Sequence, residues 1–363
     1  MRLSFALVLL AVSAVAQTAG VHWISPADSS LEIDGLPWFA EGGPGQWFRL
    51  PMRFESTLPK SVWNLGNSPS GGRIRFRTDS NVIAIRLEYR SGPDMTNMHA
   101  FGQTGVDLYL DGVYRGTAIA KRDSTVGEPV EQVYIDLKKR PRVEREATVY
   151  LSLYKPVKVL ALGLDVDAHM RKPQPFAVSR PVVFYGTSIT QGGCASRAGM
   201  AYQAILGRML NIDFVNLGFS GAGKGEPEVA RMVAEIDASA FVFDFAQNNR
   251  TAASLGEVYE PFLNIVREKH PLTPIVVITP IANSRETLPG SDGEIEAMRA
   301  LIRNVASRHI GAGDEHLQVV EGTDLLGPER ADGLVDGTHP NDLGFQWMAE
   351  GLAPRLRRVL GLH

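Results

Sequence analysis

Residues 181–190 read PVVFYGTSIT. The first five form an apolar run of mostly β-branched and aromatic residues, and glycine, threonine and serine follow it directly. A continuous apolar run of this length is typical of a strand buried on both faces of a parallel sheet. Open α/β sheets bind their ligands beyond the carboxyl ends of such strands, and Ser188 lies at that position. The stretch therefore predicts a parallel α/β sheet with a polar site where its first strand ends.

The chain after residue 172 alternates between short apolar runs and helical patterns. This alternation predicts a five-stranded parallel sheet between two helix layers, and right-handed crossovers give it a flavodoxin-like α/β/α order. The predicted strands are 182–185, 213–217, 240–245, 274–279 and 317–320, and the predicted helices are 201–210, 227–236, 258–269, 294–309 and 343–360.

The first half of the chain has a different period. Apolar and polar residues alternate in 72–77 and 82–87, and Asp111-Gly112 is a good hairpin turn after 106–110. Short alternating strands with frequent turns predict an all-β, jelly-roll-like sandwich. The remaining predicted strands are 113–115, 133–137 and 147–154.

The N-terminus has the three parts of an export signal: Arg2, the apolar stretch 3–12 and the small-x-small sequence Ala14-Val15-Ala16. The apolar stretch is shorter than the ~20 residues that span a bilayer, so a membrane anchor is disfavoured. We expect cleavage after Ala16 and a secreted or periplasmic protein. The predicted organisation is a signal peptide at 1–16, a β-sandwich domain at 17–171 and an α/β domain at 172–363, with the linker RKPQP at 171–175.

Composition and charge exclude several classes of function. The 37 lysines and arginines nearly balance the 40 aspartates and glutamates, giving a net charge of −3, which disfavours a nucleic-acid partner. Cys194 is the only cysteine, so an internal disulfide is impossible. It has no nearby histidine in sequence, and no set of histidine, cysteine and aspartate has metal-binding spacing. We therefore expect neither a metal nor a cofactor.

A second short segment, Asp336-Gly337-Thr338-His339, supplies the groups that would make Ser188 reactive. A carboxylate three residues before an imidazole can accept the Nδ1 proton, which leaves Nε2 free to take a proton from a serine. Such a set would make Ser188 a nucleophile, His339 its base and Asp336 the orienting acid. The alternatives are that residues 186–190 form a polar turn capping a helix and that His339 is a surface residue after an Asp-Gly turn.

Two further loops follow the next predicted strands and could supply hydrogen-bond donors to an oxyanion. Gly221 lies in the loop after 213–217, and Asn248 lies after 240–245. Donors aimed at a tetrahedral oxyanion are worth about 3 kcal/mol each. Taken singly, Gly221 could be a flexible turn and Asn248 could form a local Asx-turn, but both lie at successive strand ends.

These segments resemble the SGNH/GDSL hydrolase family. Residues 186–190, GTSIT, are similar to its first block, with Thr187 where the family has aspartate. Residues 336–339 match its final D-x-x-H block, and 105–109, GVDLY, resemble the GxDLY-type domain that precedes one branch of these esterases. The third block departs from the branch's Asp-Cys-x-Pro-Asn-Met, and alignment on Asp244 favours Asn248 over Asn249 in Asp244-Phe245-Ala246-Gln247-Asn248-Asn249.

The resemblance implies a serine esterase with Ser188 as nucleophile, His339 as base and Asp336 as the acid. It also implies an oxyanion hole formed by the N–H groups of Ser188 and Gly221 with the Asn248 side chain. The expected substrates are small-molecule or oligosaccharide esters, above all acetyl esters of carbohydrates, because the chain is exported and carries a β-sandwich partner. A lipase or thioesterase of the same fold and an inactive carbohydrate-binding protein are the alternatives. Candidate substrate contacts are Arg197, Lys224 and Asn249, and the first two could equally be solvated loop charges.

Overall fold

The computed structural model describes residues 20–42, 47–120, 126–137, 140–289, 291 and 293–362. The predicted signal peptide at 1–16 lies outside these residues. Within them, an all-β half precedes an α/β half, as the sequence predicts. Among the described helices, none has both the length and the apolar character needed to cross a bilayer.

The β half consists of two antiparallel sheets that enclose one core. Its elements are β1 (Val21–Ile24), β2 (Glu32–Asp34), α1 (Lys60–Leu65), β3 (Arg73–Thr78), β4 (Val82–Tyr89), α2 (Ala100–Thr104), β5 (Val106–Leu110), β6 (Val113–Ala118), β7 (Pro129–Asp136), β8 (Arg145–Tyr150), β9 (Val157–Asp165) and β10 (Met170–Arg171). One sheet has the order β1-β9-β4-β7. The other has the order β10-β3-β8-β5-β6, with β2 paired to β3.

Alternating side chains from both sheets fill the space between them. Ile83 and Ile85 of β4 belong to the same buried cluster as Ile74 and Phe76 of β3. The predicted hairpin joins β5 to β6, and Asp111 and Gly112 have φ values of +50° and +75°, which a type I′ turn requires. Strands β1, β2, β9 and β10 were not predicted from the sequence, and β9 alternates in burial only over its first five residues before a fully buried run at 161–164.

The α/β half contains the predicted parallel sheet. Its elements are β11 (Val182–Gly186), α3 (Ser188–Gln191), α4 (Tyr202–Leu210), β12 (Phe214–Gly218), α5 (Pro227–Val233), β13 (Ala240–Asp244), α6 (Ala252–Lys269), β14 (Ile275–Ile278), α7 (Glu294–Gly311), β15 (Leu317–Val320), α8 (Gly322–Leu325) and α9 (Asp342–Val359). The strand order β12-β11-β13-β14-β15 is the flavodoxin-like order. Helices α5, α6 and α7 pack on one face, and α4 and α9 pack on the other.

The five predicted strands and five longer helices agree with these elements to within a few residues, and α6 shows the largest difference. It begins at Ala252 rather than at residue 258. Its first turn is fixed by a capping box in which the Thr251 hydroxyl accepts the N–H of Ser254 at 3.1 Å. Small residues in this turn weaken the apolar period, so the pattern alone places the start too late.

Two arginines of the β half cover the edge strand of the parallel sheet. Arg73 Nη1 donates to the carbonyl of Phe214 at 3.1 Å, and Arg49 Nη1 donates to those of Asn216 at 3.0 Å and Gly218 at 2.8 Å. These are alternate carbonyls on the side of β12 that faces away from β11. Both arginines are almost fully buried, and burial lowers the pKa of Arg49 to about 9. The two halves therefore form a buried interface along the edge of β12.

Candidate active site

Ser188 follows β11 directly and opens α3. Gly186 ends the strand, where an added Cβ would lie 2.4 Å from the carbonyl oxygen of Asp244, so only glycine fits there. The Thr187 hydroxyl accepts the N–H of Ile189 at 3.2 Å and caps α3. Because Ser188 is the first residue of α3, its own N–H has no acceptor within the helix.

His339 and Asp336 lie in the loop that precedes α9. Asp336 Oδ1 accepts the main-chain N–H of Thr338 at 3.1 Å and that of His339 at 2.9 Å. The carboxylate thereby closes a turn in which Gly337 has a φ of +80°. Asn341 then caps α9 with its side-chain oxygen. Distant segments hold the loop as well, because the N–H of Ser284 donates to the carbonyl of Gly337 at 2.8 Å and the N–H of Cys194 donates to that of Pro340 at 3.0 Å.

The fold brings Ser188, His339 and Asp336 into one series of hydrogen bonds. Ser188 Oγ lies 2.8 Å from His339 Nε2, and His339 Nδ1 lies 2.8 Å from Asp336 Oδ2. Burial acts to raise the pKa of Asp336, but hydrogen bonds from Asn97 and His339 outweigh it and hold that pKa well below its usual range. An ionised Asp336 keeps the Nδ1 proton on the imidazole, so the Nε2 lone pair faces the serine hydroxyl. Such an arrangement can activate Ser188 as a nucleophile.

The loop after β12 lies against α3. The N–H of Phe219 donates to the carbonyl of Gly186 at 3.0 Å, and the N–H of Ser220 donates to Gln191 Oε1 at 2.9 Å. Gly221 follows, exposed and with a φ of +66°. The loop therefore carries Gly221 beside the Ser188 turn, where the second oxyanion donor is expected.

The two asparagines after β13 both bind main-chain carbonyls of that loop. Asn248 Nδ2 donates to the carbonyls of Phe219 and Gly223, both at 3.0 Å. Asn249 Nδ2 donates to the carbonyl of Lys224 at 3.3 Å. Asn248 is thus brought to the Gly221 loop, but both of its N–H groups brace the loop itself. It can donate to an oxyanion only by releasing one of these carbonyls.

The other predicted substrate contacts lie in different surroundings. Arg197 Nη1 is 3.3 Å from Asp107 Oδ2 and also contacts the Tyr109 hydroxyl, two residues of the GVDLY motif. Asp107 accepts the N–H of Gly199 at 2.8 Å as well, so the motif of the β half holds the loop that follows Ser188. Arg197 therefore belongs to the contact between the halves. Lys224 is exposed.

Cys194 lies beside the Asp336–His339 pair, a contact that sequence separation concealed. Its Sγ and one ligand atom from each of the two residues all lie within 4.8 Å of one another. Burial, together with the charge of Asp336, raises the pKa of the thiol to about 12. A neutral thiol is a poor nucleophile, so Cys194 is not a competing attacking group beside Ser188 at neutral pH.

Polar groups of the β half support the Ser188 turn, and none of them was predicted from the sequence. The Tyr154 hydroxyl donates to the carbonyl of Ser188 at 3.3 Å. Ser70 Oγ donates to the carbonyl of Gln191 at 2.7 Å, and Gln191 Nε2 donates to the carbonyl of Leu153 at 3.1 Å. Each is a single polar residue outside any recognisable spacing, so the sequence offers no signal for it.

Comparisons with known proteins cover both halves of the chain. Residues 179–357 match the GDSL-like lipase/acylhydrolase family, and residues 21–170 match the GxDLY family, described as the N-terminus of SGNH-hydrolase-type esterases. A protein assigned as a GDSL-like lipase from Bacteroides ovatus is 32% identical, with 94% of this chain and 98% of that chain covered and a TM-score of 0.82. The chain belongs to the GDSL-like lipase/acylhydrolase family. The predicted resemblance is confirmed, and the family supports an ester-hydrolysing enzyme.

Two further solved structures share the fold of this GDSL-like hydrolase. The salicylyl-acyltransferase SsfX3 from a tetracycline biosynthetic pathway is 24% identical, with 95% of this chain and 98% of that chain covered and a TM-score of 0.77. A family two carbohydrate esterase from Clostridium thermocellum, in complex with cellohexaose, is 16% identical, with 81% and 94% covered and a TM-score of 0.61. No curated protein sequence matches the chain.

Proposed function

We propose that this GDSL-like hydrolase is an exported serine esterase that removes short acyl groups, above all acetyl groups, from carbohydrates. The observation that carries the proposal is the unbroken series of hydrogen bonds from Ser188 through His339 to Asp336, with both side-chain distances at 2.8 Å. A hydroxyl, a base and an orienting acid in this order are what acyl transfer at neutral pH requires.

In the proposed reaction, Ser188 Oγ attacks the ester carbonyl carbon while His339 Nε2 takes the hydroxyl proton. The oxyanion that forms accepts the N–H groups of Ser188 and Gly221, and Asn248 holds the Gly221 loop or donates after releasing a carbonyl. His339 then protonates the leaving alcohol as the ester C–O bond breaks. Water attacks the acyl-enzyme while His339 takes its proton, and His339 returns that proton to Ser188 Oγ as the acyl–oxygen bond to the serine breaks and the acid leaves. Asp336 keeps the imidazole oriented in both steps.

The proposed acyl group is small because the loop that follows Ser188 offers little apolar lining. Residues 191–201 read QGGCASRAGMA and contain no long aliphatic or aromatic side chain except Met200. The carbohydrate moiety is suggested by the predicted export signal and by the carbohydrate esterase that shares the fold. Both points favour acetylated sugars over long-chain lipids.

The decisive experiment measures hydrolysis of p-nitrophenyl acetate by the full mature chain and by Ser188→Ala. We expect the variant to lose activity by about 10⁴-fold or more while its thermal unfolding stays unchanged. Equal rates at matched purity would contradict the proposal. Acetylated oligosaccharides are then screened for released acetate, and octanoyl esters and thioesters test the lipase and thioesterase alternatives.

Acyl transfer to an alcohol is a second candidate, because an acyltransferase aligns over 95% of this chain. Both reactions share the acyl-enzyme on Ser188 and differ in whether water or an alcohol attacks it. Product analysis in the presence of an acceptor alcohol separates them. We expect the free acid to dominate, and a predominance of the new ester would favour the transferase.

A further inference from the structure

Asn97 reaches the site from the β half, across the boundary between the two halves. It lies in the segment between β4 and α2, and its Nδ2 donates to Asp336 Oδ2 at 2.9 Å. The same oxygen accepts the Nδ1 proton of His339 at 2.8 Å. The other oxygen, Oδ1, is already engaged by the main-chain N–H groups of Thr338 and His339. Asn97 is therefore the second donor to the oxygen that orients the imidazole.

The segment that carries Asn97 is held firmly by a buried glutamine. Gln103 is 1% exposed, and its Oε1 accepts the N–H groups of Asp94 at 2.9 Å and Met95 at 3.0 Å. Its Nε2 donates to the carbonyls of Met95 at 3.0 Å and Met98 at 2.6 Å. Four hydrogen bonds from one amide thus flank Asn97 on both sides, so the position of its side chain is built into the fold.

Met98 extends this anchoring into the α/β half. Its side chain is buried in the same apolar cluster as Ile189 and Cys194, which both lie in the segment that follows Ser188. On the solvent side, Lys155 Nζ pairs with Asp94 Oδ1 at 2.6 Å. The segment is consequently fixed both to the β half and to the loops of the site.

We propose that Asn97 is a positioning residue of the reaction, through which the β half sets the orientation and basicity of the Asp336–His339 pair. Its amide fixes the rotation of the carboxylate and withdraws electron density from Oδ2. The proposal rests on the esterase function proposed above. The titratable group that also faces the pair is the Cys194 thiol, which stays neutral because its pKa is raised to about 12.

The test compares Asn97→Ala, Asn97→Asp and the control Thr96→Ala, an exposed neighbour in the same segment. The aspartate matches asparagine in size but replaces the donor with a second carboxylate facing Asp336. We expect kcat to fall about tenfold in Asn97→Ala and further in Asn97→Asp, with KM nearly unchanged. The acid limb of the kcat/KM profile should move to higher pH, by about one unit or more in Asn97→Asp, because added negative charge favours the imidazolium.

A second readout needs no turnover. The proton between His339 Nδ1 and Asp336 gives a far-downfield resonance in the proton NMR spectrum, assigned by its loss in His339→Gln. We expect it to move further downfield in both Asn97 variants, because Oδ2 becomes a stronger acceptor, and to stay in place in Thr96→Ala.

An unmoved acid limb and an unmoved resonance in both variants would overturn the proposal, even if activity fell, since that result would mean a purely structural role. The outcome is separable from failure of the proposed function. If the wild type hydrolyses no ester, the esterase proposal fails while the resonance still tests Asn97. If the wild type is active and the variants match it, only the role of Asn97 is overturned.

Discussion

The nucleophile side and the base side of the site are held in opposite ways. The Ser188 turn is buried between the halves, where Gln191, Ser70 and Tyr154 connect it to the β half and to the Gly221 loop. The Asp336–His339 loop is part-exposed, with side chains 32% and 22% accessible, and is held by its own turn, by Asn97 and by the N–H of Ser284, which donates to the carbonyl of Gly337. The groups that position Ser188 therefore also stabilise the fold. The groups that position His339 contribute less to folding.

This difference implies different consequences for substitutions on the two sides. A change on the base side removes a group that acts in the reaction but leaves few buried polar atoms unpaired. A change on the nucleophile side leaves buried donors or acceptors without partners, which costs folding free energy as well as activity.

Replacing Asp336 with asparagine should therefore separate activity from stability most clearly. We expect kcat to fall by about 10⁴-fold, because an amide N–H facing Nδ1 favours the wrong imidazole tautomer. The temperature of thermal unfolding should fall by only a few degrees, because the lowered pKa of Asp336 makes its ionised form stabilising but the side chain is part-exposed. Steady-state kinetics and calorimetry measure both, with Asp332→Asn, an exposed aspartate of the same region, as the control. A large loss of stability would contradict the contrast between the two sides.

Replacing Gln191 with alanine should reduce both quantities. The side chain is fully buried and joins the carbonyl of Leu153 to the N–H of Ser220, so its removal leaves both without that partner. We expect a loss of about 2–4 kcal/mol in unfolding free energy and a lower kcat as the Gly221 loop loosens. Denaturant unfolding measures the first. The control Gln346→Ala, on the part-exposed side of α9, should change neither the unfolding free energy nor kcat. An unaltered denaturation midpoint for Gln191→Ala would contradict a stabilising role for the Gln191 hydrogen bonds.

Replacing Asp244 with asparagine should produce a smaller effect that depends on pH. Burial raises the pKa of this carboxyl to about 7, so the folded chain retains its proton while the unfolded chain releases it above about pH 4. Wild-type stability should therefore decline as pH rises from about 4 to 7 and remain lower above that range. We expect Asp244→Asn to reduce the difference in unfolding free energy between pH 5 and pH 8 by on the order of 1–2 kcal/mol.

Asp213 contributes in the same direction and provides an internal reference. Burial, opposed by Arg73, raises its pKa to about 6, and this group is unchanged in Asp244→Asn. The difference between wild type and variant across pH thus reports Asp244 alone. Parallel pH profiles of stability would contradict the assignment.

Residue patterns predicted the parts of the molecule whose geometry is local. The five parallel strands follow from apolar runs such as 182–185, and the β5–β6 hairpin follows from Asp111-Gly112 because that dipeptide adopts positive φ. The Asp336-x-x-His339 spacing also fixes its own hydrogen bond, since one turn joins the two side chains. Short-range sterics and hydrogen bonding determine each of these.

The remaining features depend on contacts between distant segments, which a single sequence does not encode as a pattern. Asn97 and Asp336 are 239 positions apart, and Asn97 has no special neighbours in sequence. Arg197 looked like a loop cation near the substrate, but its partners Asp107 and Tyr109 come from the other half of the chain. Such pairings arise only when the two halves dock.

Arg49 and Arg73 cover the outer edge of β12 with side-chain hydrogen bonds. An α/β half produced without its N-terminal partner would bare the carbonyls of Phe214, Asn216 and Gly218 along an open sheet margin, ready to recruit a strand from another molecule. By occupying these carbonyls, Arg49 and Arg73 block edge-to-edge pairing of β12 with a strand of another molecule. We therefore expect variants in which the β half is deleted or exchanged to aggregate, unless another segment covers the edge of β12.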